Sequence, residues 1–344
     1  MLSTAEAELP VPGTSKVPFS SPAQLFNSHI CAAALAAATD LGLLEHLQDH
    51  GTIDLNTWSE SNNLDLPTLR GIASALAAFG IVGLQTAESI QRGEMFSEAF
   101  RYRGFFRWLI GGYGGLWHNL AGMARFGDGA ANAVRSTRDE AAIALAASVC
   151  GEELVDPVFD EVFQSVPATR ICDLGCGSGE RLIRWASKYK DLHCIGIDIS
   201  PDAARTATSA VSRHNLDDRI SIITADVRSL VRGDWCASIE LLVSVFMGHD
   251  LWPRKNCIAT LERLKTVFPA ARRFLLCDTH RSCRPLAPDT QIFTMGFEIS
   301  HAIMNQSIPS VDEWIGVFGE AGWRCSGIRD TKIPYSTIFD LRYS

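Results

Sequence analysis

A chain of 344 residues, 47% apolar and 20% charged, has enough material for two domains and the core of an ordinary globular protein. Its net charge of −8 gives nucleic acid no electrostatic support as a partner, and its ten cysteines contain no Cys-x-x-Cys pair to suggest a zinc ribbon. No stretch reaches the length of a membrane span, and residues 1–20 lack the basic start and apolar run of a signal peptide, so a cytoplasmic protein is expected.

Residues 1–20, rich in Pro, Ser and Thr, read as a mobile tail. An Ala-rich apolar helix is expected from Pro22 to Thr39, with Leu25, Phe26 and Ile30, and a short helix from Leu43 to Gln48. A third helix begins at Asp54. A fourth has Asp65 as N-cap, Pro67 in its first turn, and runs to about Phe79. Ile81–Gln85 reads as a strand with Glu94-Met-Phe-Ser as its partner. Together, residues 21–104 form a winged-helix-like module. It carries four Arg and no Lys against nine Asp or Glu, which opposes phosphate contact and leaves an interaction role.

Residues 105–167 form a connector, aromatic and Gly-rich at first, with helices expected at Asp139–Ser148 and Pro157–Gln164. It should lie over the next domain and shape a substrate cavity. His118 reads as a packed aromatic there, while Arg135 and Arg138 could meet an anionic substrate but read more simply as solvated charges.

From residue 168 to 344, strands and helices alternate regularly. Strands are expected at Arg170–Leu174, Cys194–Asp198, Ile220–Thr224, Leu241–Phe246 and Arg273–Cys277, with an antiparallel last pair at Arg324–Arg329 and Ser336–Leu341. Helices are expected at Glu180–Lys188, Pro201–His214, Asn256–Val267 and Val311–Ala321. The first strand runs into Asp173-Leu-Gly-Cys-Gly-Ser-Gly, a loop whose glycines permit sharp turns and close ligand approach. Asp198 ends the second strand, where a carboxylate can accept from ribose hydroxyls. Asp226 follows the third strand in Ala-Asp-Val. The dinucleotide fingerprint Gly-x-Gly-x-x-Gly fails because position 180 is Glu.

This pattern resembles the class I S-adenosylmethionine (SAM)-dependent methyltransferases. The resemblance implies a Rossmann-like α/β fold with a seven-stranded sheet and an N-terminal winged-helix dimerisation domain, hence a homodimer. It also implies SAM as cofactor, with Asp173, Gly175 and Gly177 near its amino-acid part, Asp198 with Ile199 at the ribose, and Asp226 with Val227 at the adenine.

Two histidines are candidates for the chemistry. His249 and Asp250 follow the fourth strand, beside the cofactor on geometric grounds. His301 lies in an insertion between Asp278 and Val311, on a helix face with Thr294, Phe297, Glu298, Met304 and Asn305. In one reading His249 is the general base of a metal-free small-molecule O-methyltransferase. In the other, His249 and His301 bind a metal that chelates a 2-oxo acid and stabilises its enolate for C-methylation. A third class is a non-catalytic regulator that senses SAM. Phe246-Met-Gly-His-Asp-Leu-Trp-Pro-Arg-Lys-Asn-Cys, Phe293-Thr-Met-Gly-Phe-Glu-Ile-Ser-His and Gly322-Trp-Arg-Cys closely resemble the 2-oxo acid β-C-methyltransferases of antibiotic biosynthesis. That resemblance implies non-haem iron, Fe(2+), held by His249 and His301, with Asp250 assisting proton removal or orienting metal-bound water. Phe293, Phe297, Met304 and Trp117 could line an apolar pocket, which suits an aromatic or branched oxo acid.

Overall fold

The computed structural model describes residues 21–126, 137–165 and 168–343, so the expected tail at 1–20 and Arg135 lie outside the described residues. The N-terminal region opens on a helix at Pro22–Asp40, capped by Ser21, whose Oγ accepts from Gln24 N at 3.3 Å. Cys31, Ala34, Leu35 and Ala38 are buried, while Leu25, Phe26 and Ile30 stand 62%, 70% and 49% exposed. Helices Leu43–His50, Leu55–Asn62 and Leu66–Ala78 follow, and Asp65 caps the last by accepting from Thr68 N at 2.9 Å. Strands β1 (Thr52–Asp54), β2 (Val82–Leu84) and β3 (Ser89–Arg92) form an antiparallel sheet in the order β1-β3-β2.

The expected strand partner at Glu94–Ser97 is therefore wrong. The partner of β2 is Ser89–Arg92, and Phe96 already begins the helix Phe96–Arg107. The cause is local: a Cβ on Gly93 would stand 2.2 Å from the Gly80 carbonyl oxygen, so the chain turns tightly there instead of continuing as a strand.

The connector carries helices Gly114–His118, Leu120–Phe126, Glu140–Cys150 and Asp156–Gln164. Its glycines allow close packing: a Cβ on Gly112 would lie 2.5 Å from Ile143 Cγ1. Trp108, Tyr113 and Leu116 consequently bury against Ala146 and against Phe297 and Met304 of the later insertion. His118 is exposed, which corrects its reading as a packed aromatic.

The larger sheet comprises β4 (Arg170–Leu174), β5 (His193–Asp198), β6 (Ile220–Thr224), β7 (Leu241–Val245), β8 (Arg273–Thr279), β9 (Trp323–Asp330) and β10 (Ser336–Tyr343). Its order is β6-β5-β4-β7-β8-β10-β9, with β10 antiparallel between β8 and β9 and the other neighbours parallel. All seven residues of β8 are buried, as expected of a strand covered on both faces. One face packs on helix Glu180–Lys188, where Trp185 stacks on Phe163 at 4.6 Å and donates its indole N–H to Asp160 at 2.7 Å. Truncating such a side chain to alanine costs about 3–5 kcal/mol. The strand order reverses at β4, between β5 and β7, and doubly wound sheets bind ligands outside that switch point. No single helix among the described residues is long and apolar enough to cross a membrane.

Candidate active site

At the end of β4 the Gly-rich loop is fixed from β5. Gly175 N and Cys176 N both donate to Ile197 O, at 2.8 and 3.0 Å. Gly177 N donates to Asp198 Oδ2 and Ser200 N to Asp198 Oδ1, each at 2.9 Å, which leaves each carboxylate oxygen able to accept again. Gly175 has φ +78°, and a Cβ there would meet Met247 Cγ at 2.9 Å, so both backbone and space demand glycine. Asp173 is wholly buried beneath this loop, and neither carboxylate oxygen has a hydrogen-bond partner. Arg181 Nη1 lies 3.6 Å away but is shared with Asp156, whose Oδ1 it meets through Nε at 3.0 Å. Burial pushes the Asp173 carboxyl up to about 6 against the pull of Arg181. Such an orphaned carboxylate suits a cationic ligand group such as the SAM ammonium.

Ile199 is 59% exposed beside Asp198, while Val227 is buried. Asp226 accepts from the Arg228 backbone N at 2.9 Å and from its guanidinium at 2.9–3.1 Å, so its carboxylate is largely taken up by its own turn.

Across the loop, the two histidines come together. His249 sits in the short turn Gly248–Leu251 after β7, and His301 on the helix Thr294–Ile303. Their ring centroids are 4.9 Å apart and their planes 82° apart. His249 Nδ1 lies 2.8 Å from Asp278 Oδ1, and His249 N donates to Asp278 Oδ2 at 2.7 Å. His301 Nδ1 lies 2.7 Å from Phe297 O. A carbonyl only accepts, so His301 carries its proton on Nδ1 and keeps a lone pair on Nε2. Burial disfavours a proton on His249, but Asp278 and Asp250 outweigh it and raise the imidazole to about 9. Burial and then the His249 charge pull His301 down to about 3.

The pair fits a metal ion. Each Nδ1 is tied to an oxygen, the outer arrangement that leaves Nε2 as ligand, and an ion at His249 would displace the Nε2 proton that Asp278 and Asp250 favour. Two imidazoles on adjacent positions of one ion, at metal–nitrogen distances near 2.1 Å, would have ring centres roughly 4.6–5.3 Å apart. The observed separation lies in that range. No group of three or more His, Cys, Asp or Glu suited to a metal occurs among the described residues.

Around the pair, Phe297 meets His249 edge-on at 5.3 Å and His301 at 4.0 Å, and Tyr113 lies 6.4 Å from His301. Thr294 and Met304 share the buried side of the His301 helix. Glu298 is turned to accept from Ser282 N, and Asn305 is exposed beyond the helix end, so the expected single face holds only in part. Arg138 lies over the Tyr113 ring at 5.9 Å; its Nε is buried without a partner, and its charge opposes protonation of both histidines. Sequence reasoning read Arg138 more simply as a solvated charge and missed Asp278. The rule that selected Asp198, an acidic residue at the carboxyl end of a buried strand, applies equally to Asp278.

Residues 171–268 match the family model described as a methyltransferase domain. The chain is 36% identical to the methyltransferase ungE' of Aspergillus campestris, over 94% of this chain and 96% of that one. The chain belongs to the SAM-dependent methyltransferases. Among the methyltransferase's relatives is the indolepyruvate C-methyltransferase of Streptomyces griseus, 27% identical over 94% of this chain and 95% of that protein, in keeping with the family resemblance of the motifs. Human N-acetylserotonin methyltransferase in complex with SAM shares its fold, with a TM-score of 0.65 at 15% identity over 97% of this chain and all of that one.

Proposed function

We propose that this methyltransferase transfers the SAM methyl group to the β-carbon of a 2-oxo acid, with an aromatic or branched aliphatic side chain, at a site that holds a divalent metal on His249 and His301. The observation that carries the reading is the buried imidazole pair, 4.9 Å apart, with both Nδ1 atoms committed elsewhere. A divalent metal, ferrous iron in the reading implied by the family, would be held by His249 and His301 and would supply Lewis acidity that makes the β-carbon of the oxo acid easier to deprotonate.

The chain's own groups divide the remaining work. Arg138 receives the substrate carboxylate, a role supported by its buried, unpartnered Nε beside the Tyr113 ring. Asp250 takes the β-proton. Trp108, Phe293 and Phe297, packed edge-on or tilted with ring centres 4.9–6.4 Å apart, with Trp117 and Met304 in the same cluster, exclude water from the side chain of the acid. On the cofactor side, Asp198 accepts from the ribose and Asp173 from the SAM ammonium, across the backbone of Gly175 and Gly177. Ile199 and Val227 flank the adenine, whose amino group Asp226 approaches.

The test is methyl transfer to phenylpyruvate, indolepyruvate and branched oxo acids before and after chelation. Turnover is expected to vanish with the chelator and return with ferrous iron. Turnover indifferent to a chelator that strips the protein of metal would sink the metal role. The apolar Leu25, Phe26 and Ile30 surface is proposed to form a homodimer contact. Sedimentation of the Leu25→Ser/Phe26→Ser variant should show monomers where the unmodified protein shows dimers; a monomeric unmodified protein would refute this.

A further inference from the structure

One side chain outside the groups used so far joins the two segments that carry the histidines. The chain turns back at Asn305, in the left-handed region with φ 56°, a conformation that Asn tolerates. Gln306 then donates its backbone N–H to the His301 carbonyl at 2.8 Å and its Nε2 to Asp250 Oδ1 at 2.9 Å. Its Oε1 is buried without a partner. Asp250 is exposed and follows His249 directly in the turn Gly248–Leu251, so its carboxylate is carried on the same short turn as that ring. A carboxylate at such a position has several rotamers open to it unless a neighbour selects one. Gln306 is anchored at its own backbone to the segment bearing His301, and its amide grips only one oxygen of Asp250.

We infer that Gln306 is a positioning residue for the proton-removal step: it holds Asp250 Oδ1 so that Oδ2 is directed at the β-carbon of the substrate. The inference rests on the C-methylation reading. In this step the Cβ–H bond breaks, the proton passes to Asp250 Oδ2, and the bonding pair moves through to the carbonyl oxygen as an enolate. The pair then returns to form the Cβ–CH3 bond as the S–CH3 bond breaks, releasing S-adenosylhomocysteine.

Proton removal can be read without methyl transfer. The metal-loaded protein is incubated with the oxo acid in D2O without SAM, and loss of the β-hydrogen signal is followed by NMR. Gln306→Leu should slow this exchange by about 10–100-fold, the size usual for loss of a partner behind an active group, with SAM affinity unchanged by calorimetry. Gln306→Glu keeps the size and backbone bond but repels Asp250, so it should slow exchange as well. Asp250→Asn should slow it at least as much, and adding Gln306→Leu should do nothing further, because the two act as one unit. Wild-type exchange rates in both Gln306 variants, or full multiplicative losses in the double variant, would overturn the inference alone. A wild-type protein that exchanges no oxo acid of the panel above the buffer rate would overturn the C-methylation reading and this inference with it.

Discussion

His301→Ala is expected to abolish metal binding and methyl transfer while SAM still binds at its normal affinity. The loop that would hold SAM is built from β4 and β5, and His301 makes none of its hydrogen bonds. The imidazole is 2% exposed, its Nδ1 is tied to Phe297 O, and burial keeps it neutral, which is the form that ligates. Losing one of two protein ligands forfeits most of the several kcal/mol that a Lewis acid supplies; about 4 kcal/mol corresponds to roughly 10³-fold in rate. The variant also leaves a cavity beside Phe297 and Tyr113, at a cost of about 2–4 kcal/mol in stability. Melting temperature must therefore be measured alongside cobalt binding, followed by visible absorption, and SAM binding, followed by calorimetry. A folded variant that keeps SAM affinity and turnover would favour O-methylation with His249 as a plain base, where only His249→Ala is severe.

The pairing of His249 with His301 illustrates what the sequence makes legible. The residue types and their strand and helix positions were readable: His249 after the fourth strand, His301 on an insertion helix, Asp198 at an acidic strand end. Their separation was not, since they stand 52 residues apart in sequence and approach only because the connector and the insertion helix bury Trp108, Tyr113, Phe297 and Met304 together. The regular βα alternation gave the larger sheet with small boundary differences, because strands buried on both faces announce themselves as apolar runs.

The small N-terminal sheet announced itself poorly. In Ser89–Arg92 only Ile90 is buried, so the strand has almost no apolar signature, whereas Met95-Phe96 has one and belongs to a turn and a helix. Arg138 reads as a solvated charge for a related reason. A lone arginine in a connector has no periodicity to read, and its surroundings come from the Tyr113 ring over which tertiary packing places it. Similarly, nothing in the local sequence says that Gln306 will reach Asp250 across 56 residues.

Asp278→Asn tests the support behind the other histidine and should be nearly as damaging. Asp278 is wholly buried and acceptor-only in its ionised form. Its Oδ1 takes His249 Nδ1 and Thr279 N, at 2.8 and 2.7 Å, and its Oδ2 takes His249 N at 2.7 Å. Asparagine offers one acceptor and one donor in the same space. Whichever way the amide is turned, its NH2 points at an N–H that formerly had an acceptor. A buried donor left in this state costs about 1–3 kcal/mol. If the amide oxygen stays with the backbone, His249 loses the acceptor that keeps the proton on Nδ1, and the tautomer that presents Nε2 is no longer selected. Metal affinity should drop about 10–100-fold, as for other losses of a group that orients a ligand. Turnover at saturating metal should remain depressed because the ring is misaligned. In a metal-free O-methyltransferase the same substitution would also slow the reaction, but cobalt would then bind the two proteins alike. Competition between chelator and Asp278→Asn for cobalt therefore separates the two chemistries: an affinity equal to that of the unmodified protein would remove Asp278, and with it His249, from any metal site.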